Sequence, residues 1–177
     1  YRRKHYYDAL ARTNRTDNYV EGATAFHQID TTFDTLGRVD TVTYPAVTIG
    51  AATTRLAVKN NYNGAGYLYS ITNPTGTLAY WTATAMDADG HVTNETLGNG
   101  LATIRGYQAT TGRLTSISTG GGATQNMTFG YDTIGNLTSR TDTFTTPSAA
   151  TINETYTHDA LNRLKTVAMS GTTTLNK

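Results

Sequence analysis

The chain has 177 residues, a formal net charge of +1, no cysteine, and charged side chains at only 15% of its positions. This length suits one domain with a modest core, and the lack of cysteine excludes disulfides and thiolate metal sites. The near-neutral charge gives no broad basic field for nucleic acid, and no apolar run reaches the roughly 18 residues that span a bilayer. Abundant threonine with 12 tyrosines and 17 glycines predicts an all-β fold of short strands and turns.

One short pattern recurs along the chain: an aromatic or similar residue, usually aspartate, two variable residues, glycine, a polar residue and an apolar residue. In chain order it reads YDALART at Tyr7, FDTLGRV at Phe33, YNGAGYL at Tyr62, MDADGHV at Met86, YQATTGRL at Tyr107, YDTIGNL at Tyr131 and HDALNRL at His158. The spacing of about 25 residues is typical of repeat proteins. We therefore expect an array of about seven hairpin units over residues 1–177, with starts near 7, 33, 62, 86, 107, 131 and 158.

Each copy of the pattern has the chemistry of a hairpin turn. In the second copy the Asp34 carboxylate can accept the backbone N–H two residues further on, and Gly37 occupies the position where φ is positive. This combination predicts a type I turn closed by a left-handed residue, between a strand that ends at the aromatic residue and a strand that begins after glycine. The predicted turn residues are Tyr7, Asp8, Phe33, Asp34, Gly37, Arg38, Tyr62, Gly66, Asp87, Gly90, Tyr107, Gly112, Arg113, Tyr131, Asp132, Gly135, His158, Asp159, Asn162 and Arg163.

Three copies depart from the glycine rule. Asn162 replaces glycine in the last copy, where asparagine tolerates left-handed φ. Gly112 comes one residue late, which predicts a longer loop over Gln108 to Thr111. Ala11 would cost about 1–2 kcal/mol in that conformation, so we expect the first unit to be distorted, frayed or truncated.

Residues before the turns alternate with the period of a strand. Counting back from Tyr62 places Asn60, Val58 and Leu56 on one face. Further turn signals lie between the hairpins, at Asn73–Gly76, Gly98–Gly100, Gly120–Gly122 and Thr146–Pro147. The chain is thus predicted to be a meander of tandem antiparallel β-hairpins that forms a curved, spiralling ribbon, because open sheets beyond about 10 strands rarely stay flat.

The run from Tyr131-Asp132 through Gly135-Asn136-Leu137 to His158-Asp159-Ala160-Leu161-Asn162-Arg163-Leu164 resembles the tandem repeat of the Rhs, or YD-repeat, family. The resemblance covers the chain from His5 to Ala168. Members are large bacterial secreted or surface proteins, including Tc toxin shell components, with teneurins as animal relatives. The resemblance implies a hollow shell of hairpins around a variable C-terminal toxin domain.

The resemblance also predicts which part of such a protein this chain supplies. The family's self-cleavage segment has no counterpart here, and no toxin-like segment follows Lys177. We therefore expect a non-catalytic piece of shell wall, secreted or at the bacterial cell surface, with no cofactor and no membrane insertion. Its expected partners are the remainder of the parent shell and an enclosed toxin or effector domain, and no nucleic acid.

Enzymatic and metal-binding functions have weaker support in the sequence. It contains no nucleophile elbow, zinc-protease motif or phosphate loop. The segment Asp87-Ala88-Asp89-Gly90 resembles the start of a calcium loop, but Thr96 stands where such a loop needs glutamate. Since the hairpin pattern already accounts for Asp87 and Gly90, we predict no catalytic and no metal site.

Adhesion or carbohydrate binding is the alternative function. Tyr67, Tyr69, Tyr80 and Trp81 could stack on sugar rings, although aromatic pairs across strands are common for packing alone. Trp81 is the candidate glycan contact, since it lies on the opposite face of its strand from Tyr80.

Overall fold

The structure is a computed structural model that describes residues 1–22, 26–145 and 149–171. Its described part consists of strands and turns, with no helix that could span a membrane. The strands are β1 (Arg2–Tyr7), β2 (Thr13–Tyr19), β3 (His27–Phe33), β4 (Val39–Ile49), β5 (Ala52–Tyr62), β6 (Leu68–Thr72), β7 (Ala79–Met86), β8 (Val92–Leu97), β9 (Ala102–Tyr107), β10 (Leu114–Thr119), β11 (Gln125–Tyr131), β12 (Leu137–Phe144), β13 (Ala150–His158) and β14 (Leu164–Gly171).

The strands form one sheet in which the strand order is the chain order, from β1 to β14. The pairs are antiparallel, so the predicted all-β array of tandem hairpins is confirmed. The chain divides into two compact units, Tyr1–Thr82 and Ala83–Lys177, with the boundary inside β7. Within each unit the turns that follow odd-numbered strands lie on one side of the sheet, which we call the motif edge. The other turns lie on the opposite side, the connecting edge.

Six motif turns in the described part of the chain begin at an irregularity in strand pairing. The register shifts between Tyr6 and Tyr7, between Asn61 and Tyr62, and between Gly130 and Tyr131. This is the extra residue expected for a three-residue hairpin loop with a left-handed residue. The aromatic residue of the pattern therefore lies at the last pair of its strand, directly beside the turn.

Polar side chains are prominent among the buried residues. In the described part of the chain, the buried apolar residues are Met127 and Ala150. The buried polar residues are Asp17, Ser70, Thr72, Thr103, Thr119 and Glu154. The modest apolar core expected from composition is therefore wrong for this chain. The physical reason is that the described residues form no second sheet or helix to cover the strands, so side chains are sheltered mainly by neighbours on the same face.

The connecting edge is less regular than the motif edge. The predicted turns at Asn73–Gly76, Gly98–Gly100 and Gly120–Gly122 are present and contain left-handed glycines, whereas Thr146–Pro147 lies outside the described residues. β4 and β5 have 11 residues each and pair out to Ile49 and Ala52. Their far halves extend beyond the pairing of β3, which reaches Thr43, and of β6, which reaches Lys59.

Candidate functional site: the motif edge

The turn at Asp34 illustrates how one carboxylate organises a hairpin loop. Its Oδ1 accepts backbone N–H bonds from Leu36 and Arg38, both at 2.9 Å. The backbone closes the same loop, since the Asp34 N–H donates to the Arg38 carbonyl and the Gly37 N–H donates to the Asp34 carbonyl. The carboxylate therefore satisfies two donors that a tight turn would otherwise leave unpaired.

The same backbone bonds recur at the turns that begin at Asp8, Asn63, Asp87, Asp132 and Asp159. Asn63 replaces the carboxylate with an amide whose Oδ1 accepts from Ala65 and Tyr67, both at 3.0 Å. An amide oxygen is thus enough to cap the turn. With an amide in place of the carboxylate, this third turn cannot form an ion pair at that position.

The left-handed position is occupied as the pattern requires. φ is 81° at Gly37, 90° at Gly66, 85° at Gly90, 68° at Gly112 and 103° at Gly135. Asn162 has φ of 60°, in line with its tolerance of this region.

The structure differs from the prediction for the turn that contains Ala11 and agrees with the prediction for the turn that contains Gly112. Ala11 has φ of 59° and keeps the full set of backbone bonds. The expected distortion of the first unit is therefore wrong, because the capping bonds from Asp8 hold the alanine in a costly conformation. The loop at Gln108 is one residue longer, with the Gln108 N–H donating to the Arg113 carbonyl, as the sequence predicts.

In three turns an arginine directly after the left-handed residue binds the aspartate that begins the turn. Arg12, Arg38 and Arg163 each donate from Nε to Oδ2 of the aspartate four residues earlier, at 2.7–2.8 Å, and a second guanidinium nitrogen lies at 2.7 Å. Two bonds that converge on one carboxylate oxygen fix the plane of each guanidinium. That plane then becomes a surface on which another group can stack.

The next repeat supplies the stacking group. In the first unit the guanidinium carbon of Arg12 lies 4.1 Å from the ring centroid of Phe33, and that of Arg38 lies 4.0 Å from the ring of Tyr62. In the second unit Arg113 lies 5.8 Å from the ring of Tyr131. These are cation–π distances, each worth about 0.5–1 kcal/mol at exposed sites. Successive hairpins are therefore linked by side chains as well as by strand pairing.

In the second unit, two other residue types occupy the position directly after the left-handed glycine. His91 donates from its ring Nδ1 to Asp87 Oδ2 at 2.8 Å, and its ring stacks on Tyr107 with ring centroids 4.6 Å apart. Asn136 donates from Nδ2 to Asp132 Oδ2 and also to Asn162 Oδ1 of the next turn, at 2.8 and 3.2 Å. We call this series of contacts from one turn to the next the motif ladder.

Tyrosine hydroxyls add a further bond to the motif ladder. Tyr62 donates to the carbonyl of Val39 at 2.8 Å, and Tyr131 donates to the carbonyl of Leu114 at 2.9 Å. Each acceptor is the residue that directly follows the stacked arginine. The tyrosine of one repeat therefore binds both the side chain and the backbone of the repeat before it.

Glycine also provides space for the arginine of the preceding repeat. A Cβ at Gly37 would lie 3.4 Å from Arg12, and one at Gly66 would lie 3.7 Å from Arg38. A Cβ at Gly135 would lie 2.8 Å from Arg113 Cζ, so the guanidinium at the end of that flexible side chain would have to move away. Glycine at this position thus serves the turn and, at Gly135, the close approach of a neighbouring side chain.

The turn aspartates are held in the charged form. Hydrogen bonds from the Arg12 and Arg163 side chains are the main cause of the lowered pKa values of Asp8 and Asp159. Burial opposes ionisation of Asp34, Asp87 and Asp132, but side-chain and backbone hydrogen bonds outweigh it and lower each pKa below its ordinary value of 3.8. A general acid or base at neutral pH needs a shift in the opposite direction. These carboxylates are therefore suited to holding turns.

The calcium-like segment of the sequence is part of the motif ladder. Ligand atoms of Asp87, Asp89 and His91 lie within 4.8 Å of one another. However, Asp87 Oδ1 accepts the N–H bonds of Asp89 and His91, and its Oδ2 contacts the His91 ring. Thr96 lies in β8, where it cannot complete a loop around an ion.

The remaining candidate sites are an open cleft and the predicted glycan contact. The cleft, of about 460 Å³, lies at the motif edge of the second unit and is lined by residues that include Gln108, Arg113, Tyr131 and Asp132. Trp81 is half-buried in β7 and pairs with Ile71 of β6. Its role in glycan binding stays a prediction.

Sequence reasoning identified the turns but missed the links between them. Arg12, His91 and Asn136 were not singled out, and Arg38 and Arg113 were assigned only to their own turns. The signal was present in the sequence: a cation or amide follows the left-handed residue, and an aromatic residue begins the next unit. Pairing these two positions across repeats would have predicted the motif ladder.

Comparison with solved structures places the fold among Tc toxin chains. The crystal structure of TcdB2-TccC3 matches with a TM-score of 0.68 and 20% identity, over 89% of this chain and 9% of that chain. The crystal structure of TcdB2-TccC3 without its hypervariable C-terminal region gives the same TM-score and identity, over 89% of this chain and 8% of that chain. The Tc holotoxin pore of Photorhabdus luminescens gives a TM-score of 0.55 with 17% identity, over 89% and 10%.

No protein-family model and no curated protein matches the chain. At the identities above, the structural matches show a shared fold. The chain spans about a tenth or less of the solved chains that it resembles.

Proposed function

We propose that this chain is a non-catalytic wall segment of an Rhs, or YD-repeat, shell, which surrounds or presents a toxin or effector domain. Two observations support the proposal together. The fold is shared with part of the Tc toxin chains TcdB2-TccC3. Within each unit the motif ladder also joins neighbouring hairpins, as a wall built from repeats requires.

The motif ladder suits a mechanical role because its contacts recur at neighbouring turns within each unit. The wall would gain stability from the sum of nearest-neighbour terms, as in other repeat proteins. Strand pairing alone leaves a sheet prone to twist and slip. A stacked arginine with a tyrosine bond to the adjacent backbone fixes both the register and the spacing of successive turns.

The chemistry of the motif edge supports a structural role more than a catalytic one. Its aspartates are ionised, paired and used as turn caps. The proposed partners are therefore further repeats of the shell and an enclosed effector, with no cofactor. The proposed location is outside the producing bacterium or at its surface, in keeping with the Tc holotoxin pore that shares the fold.

Cryo-electron microscopy of the complete natural polypeptide that carries this chain tests the proposal. We expect residues 1–171 to form part of a continuous wall around a cavity that contains density for another domain. A solid domain without a cavity would contradict the proposal.

Limited proteolysis gives a second readout of enclosure. The effector should resist protease in the native polypeptide and become sensitive once the wall is opened by denaturant. An effector that is cleaved equally fast before and after opening would argue for a scaffold that presents its cargo without enclosing it.

A further inference from the structure

The turn at Gln108 differs from the other motif turns that contain an arginine. Arg12, Arg38 and Arg163 each bind the aspartate that begins their own turn. Before Arg113 that place is taken by Gln108, which has no charge, and the loop is one residue longer. In the described part of the chain, the Arg113 guanidinium therefore forms no ion pair and donates no hydrogen bond to another residue.

Neighbouring residues nevertheless restrict the Arg113 side chain. It is half-buried, and its guanidinium lies against the next turn, where a Cβ at Gly135 would come 2.8 Å from its Cζ. The ring of Tyr131 is 5.8 Å from the guanidinium carbon, compared with 4.0 Å between Arg38 and Tyr62. Arg113 thus presents a cation in a defined place, with nitrogen donors that can bind another molecule.

The guanidinium lines the open cleft of about 460 Å³ in the second unit, a volume within the range of small-molecule sites. The Thr111 hydroxyl donates to Gln108 Oε1 at 2.7 Å, so the amide nitrogen of Gln108 is a further donor on this wall. The rings of Phe129 and Tyr131 also line the cleft. The cleft, which we call the Arg113 cleft, therefore combines a cation, N–H donors and apolar rings.

One carboxylate lines the Arg113 cleft, but it is engaged in its own turn. Asp132 Oδ1 accepts the backbone N–H bonds of Ile134, Gly135 and Asn136 at 2.7–3.1 Å. Its Oδ2 accepts a bond from the Asn136 side chain at 2.8 Å. Asp132 therefore does not supply the carboxylate that Arg113 lacks. Its charge opposes the binding of any anion, so a ligand needs apolar contact as well as an ion pair.

We propose that the Arg113 cleft binds a small organic carboxylate that carries a flat ring. The carboxylate accepts bonds from two guanidinium nitrogens of Arg113, as Asp34 does from Arg38. The ring packs on Phe129 and Tyr131, because flat apolar groups stack on aromatic side chains. The proposal goes beyond the shell function and requires neither a cavity nor a cargo.

Nuclear magnetic resonance of the nitrogen-labelled 177-residue chain, titrated with benzoate, tests the site. We expect the Arg113 Nε–H signal and the backbone signals of Thr111 and Thr133 to shift together, with one dissociation constant of about millimolar order. Added salt should weaken binding. Benzamide keeps the ring without the charge, and acetate keeps the charge without the ring. Each should bind at least about tenfold more weakly than benzoate.

Variants of the two donor residues distinguish the Arg113 cleft from general attraction of anions. Arg113→Ala should weaken benzoate binding by about tenfold or more. Arg113→Lys keeps the charge but not the planar guanidinium, and should have an intermediate affinity. Gln108→Glu supplies an acid within the turn itself, and should weaken binding by about tenfold or more because that acid competes for the guanidinium.

Arg38→Ala is the matched control, because Arg38 has the same position in its own turn but already binds Asp34 and lies outside the cleft. This variant should bind benzoate like the unmodified chain. Circular dichroism of each variant verifies the fold. Benzoate binding that Arg38→Ala and Arg113→Ala weaken equally would overturn the assignment to the Arg113 cleft.

Inorganic phosphate separates recognition of a ring-bearing carboxylate from binding of anions in general. It should shift the same signals only at concentrations about tenfold higher than benzoate. Phosphate that binds as tightly as benzoate would overturn the ligand class. Signals that benzoate does not shift, or shifts that Arg113→Ala leaves unchanged, would overturn the site. The shell function is tested separately by the cavity and its cargo, so failure of one proposal does not imply failure of the other.

Discussion

The two edges of each unit are built by different rules. At the motif edge the turns repeat one backbone pattern, and their side chains contact the neighbouring turns. At the connecting edge the turns vary, and the glycines Gly50, Gly76 and Gly100 have positive φ with no atom within 4 Å of an added Cβ. The repeated side-chain contacts between turns lie at the motif edge, whereas at the connecting edge close contacts are confined to particular turns, such as Gly120 beside Leu101.

The contrast also explains the unequal strand lengths. β6 has five residues and β4 has 11, yet both meet the motif edge in the same way. Strands of different length can end at different points along the connecting edge, because the motif ladder that must stay aligned lies at the motif edge. We expect changes at the two edges to have unequal effects on stability.

The largest effect is expected at Gly135. Gly135→Val combines strain at positive φ with displacement of the Arg113 guanidinium, and should lower the free energy of unfolding by about 2 kcal/mol or more. Gly100→Val, at the connecting edge of the same unit, imposes the strain alone and should cost about 1–2 kcal/mol. Urea denaturation of both variants measures the difference. Equal losses would mean that the approach of Arg113 has no energetic role.

A smaller effect is expected when an arginine of the motif ladder is removed. Arg38→Ala loses the ion pair with Asp34 and the stack on Tyr62, and should cost about 1 kcal/mol. Arg163→Ala is the matched control, because Arg163 has the same ion pair without a stacked ring in the described chain. It should cost less, because it loses the ion pair alone. If thermal unfolding gives the reverse order, stacking between repeats does not stabilise the chain.

Acid should weaken the motif edge in a predictable pH range. The turn aspartates have folded pKa values below 3.8, so their contribution is complete above that value and is lost as pH falls through the folded pKa values. Asp34→Asn should make stability less dependent on pH below about 4, while the turn survives as it does at Asn63. Asn63→Asp is the converse control and should steepen that dependence. Chemical denaturation at a series of pH values measures the free energy of unfolding of both variants. If its slope against pH is unchanged in both, the ionised aspartates do not stabilise the turns.

The smallest effect is expected at the tip of the β4–β5 hairpin. Inserting glycine and serine after Gly50 lengthens a loop at the connecting edge, where no side chain surrounds the glycine. Loop-closure entropy predicts a change within about 0.5 kcal/mol. The same insertion after Gly37 should be far more disruptive, because it separates Arg38 from Asp34. Comparable melting temperatures for the two insertions would remove the distinction between the edges.

The hairpins and their turns could be predicted from sequence because the deciding forces are local. A carboxylate and a left-handed residue three positions later specify the loop at Asp34 without help from the rest of the chain. Ala11 was mispredicted because propensity was weighed without the capping bonds that offset it. The stack of Arg38 on Tyr62 was missed because it depends on pairing β4 with β5, which the isolated pattern does not contain.

In the described residues, backbone pairing joins strands that are consecutive in the chain, and this order has a consequence for how the protein is made. Each new pair requires closure of a short loop, whose entropic cost is small. Folding can therefore proceed from the N-terminus while the ribosome is still adding residues, and each completed hairpin offers a template for the next. Low contact order of this kind favours fast assembly for a sheet protein and keeps few strands unpaired at any moment during synthesis.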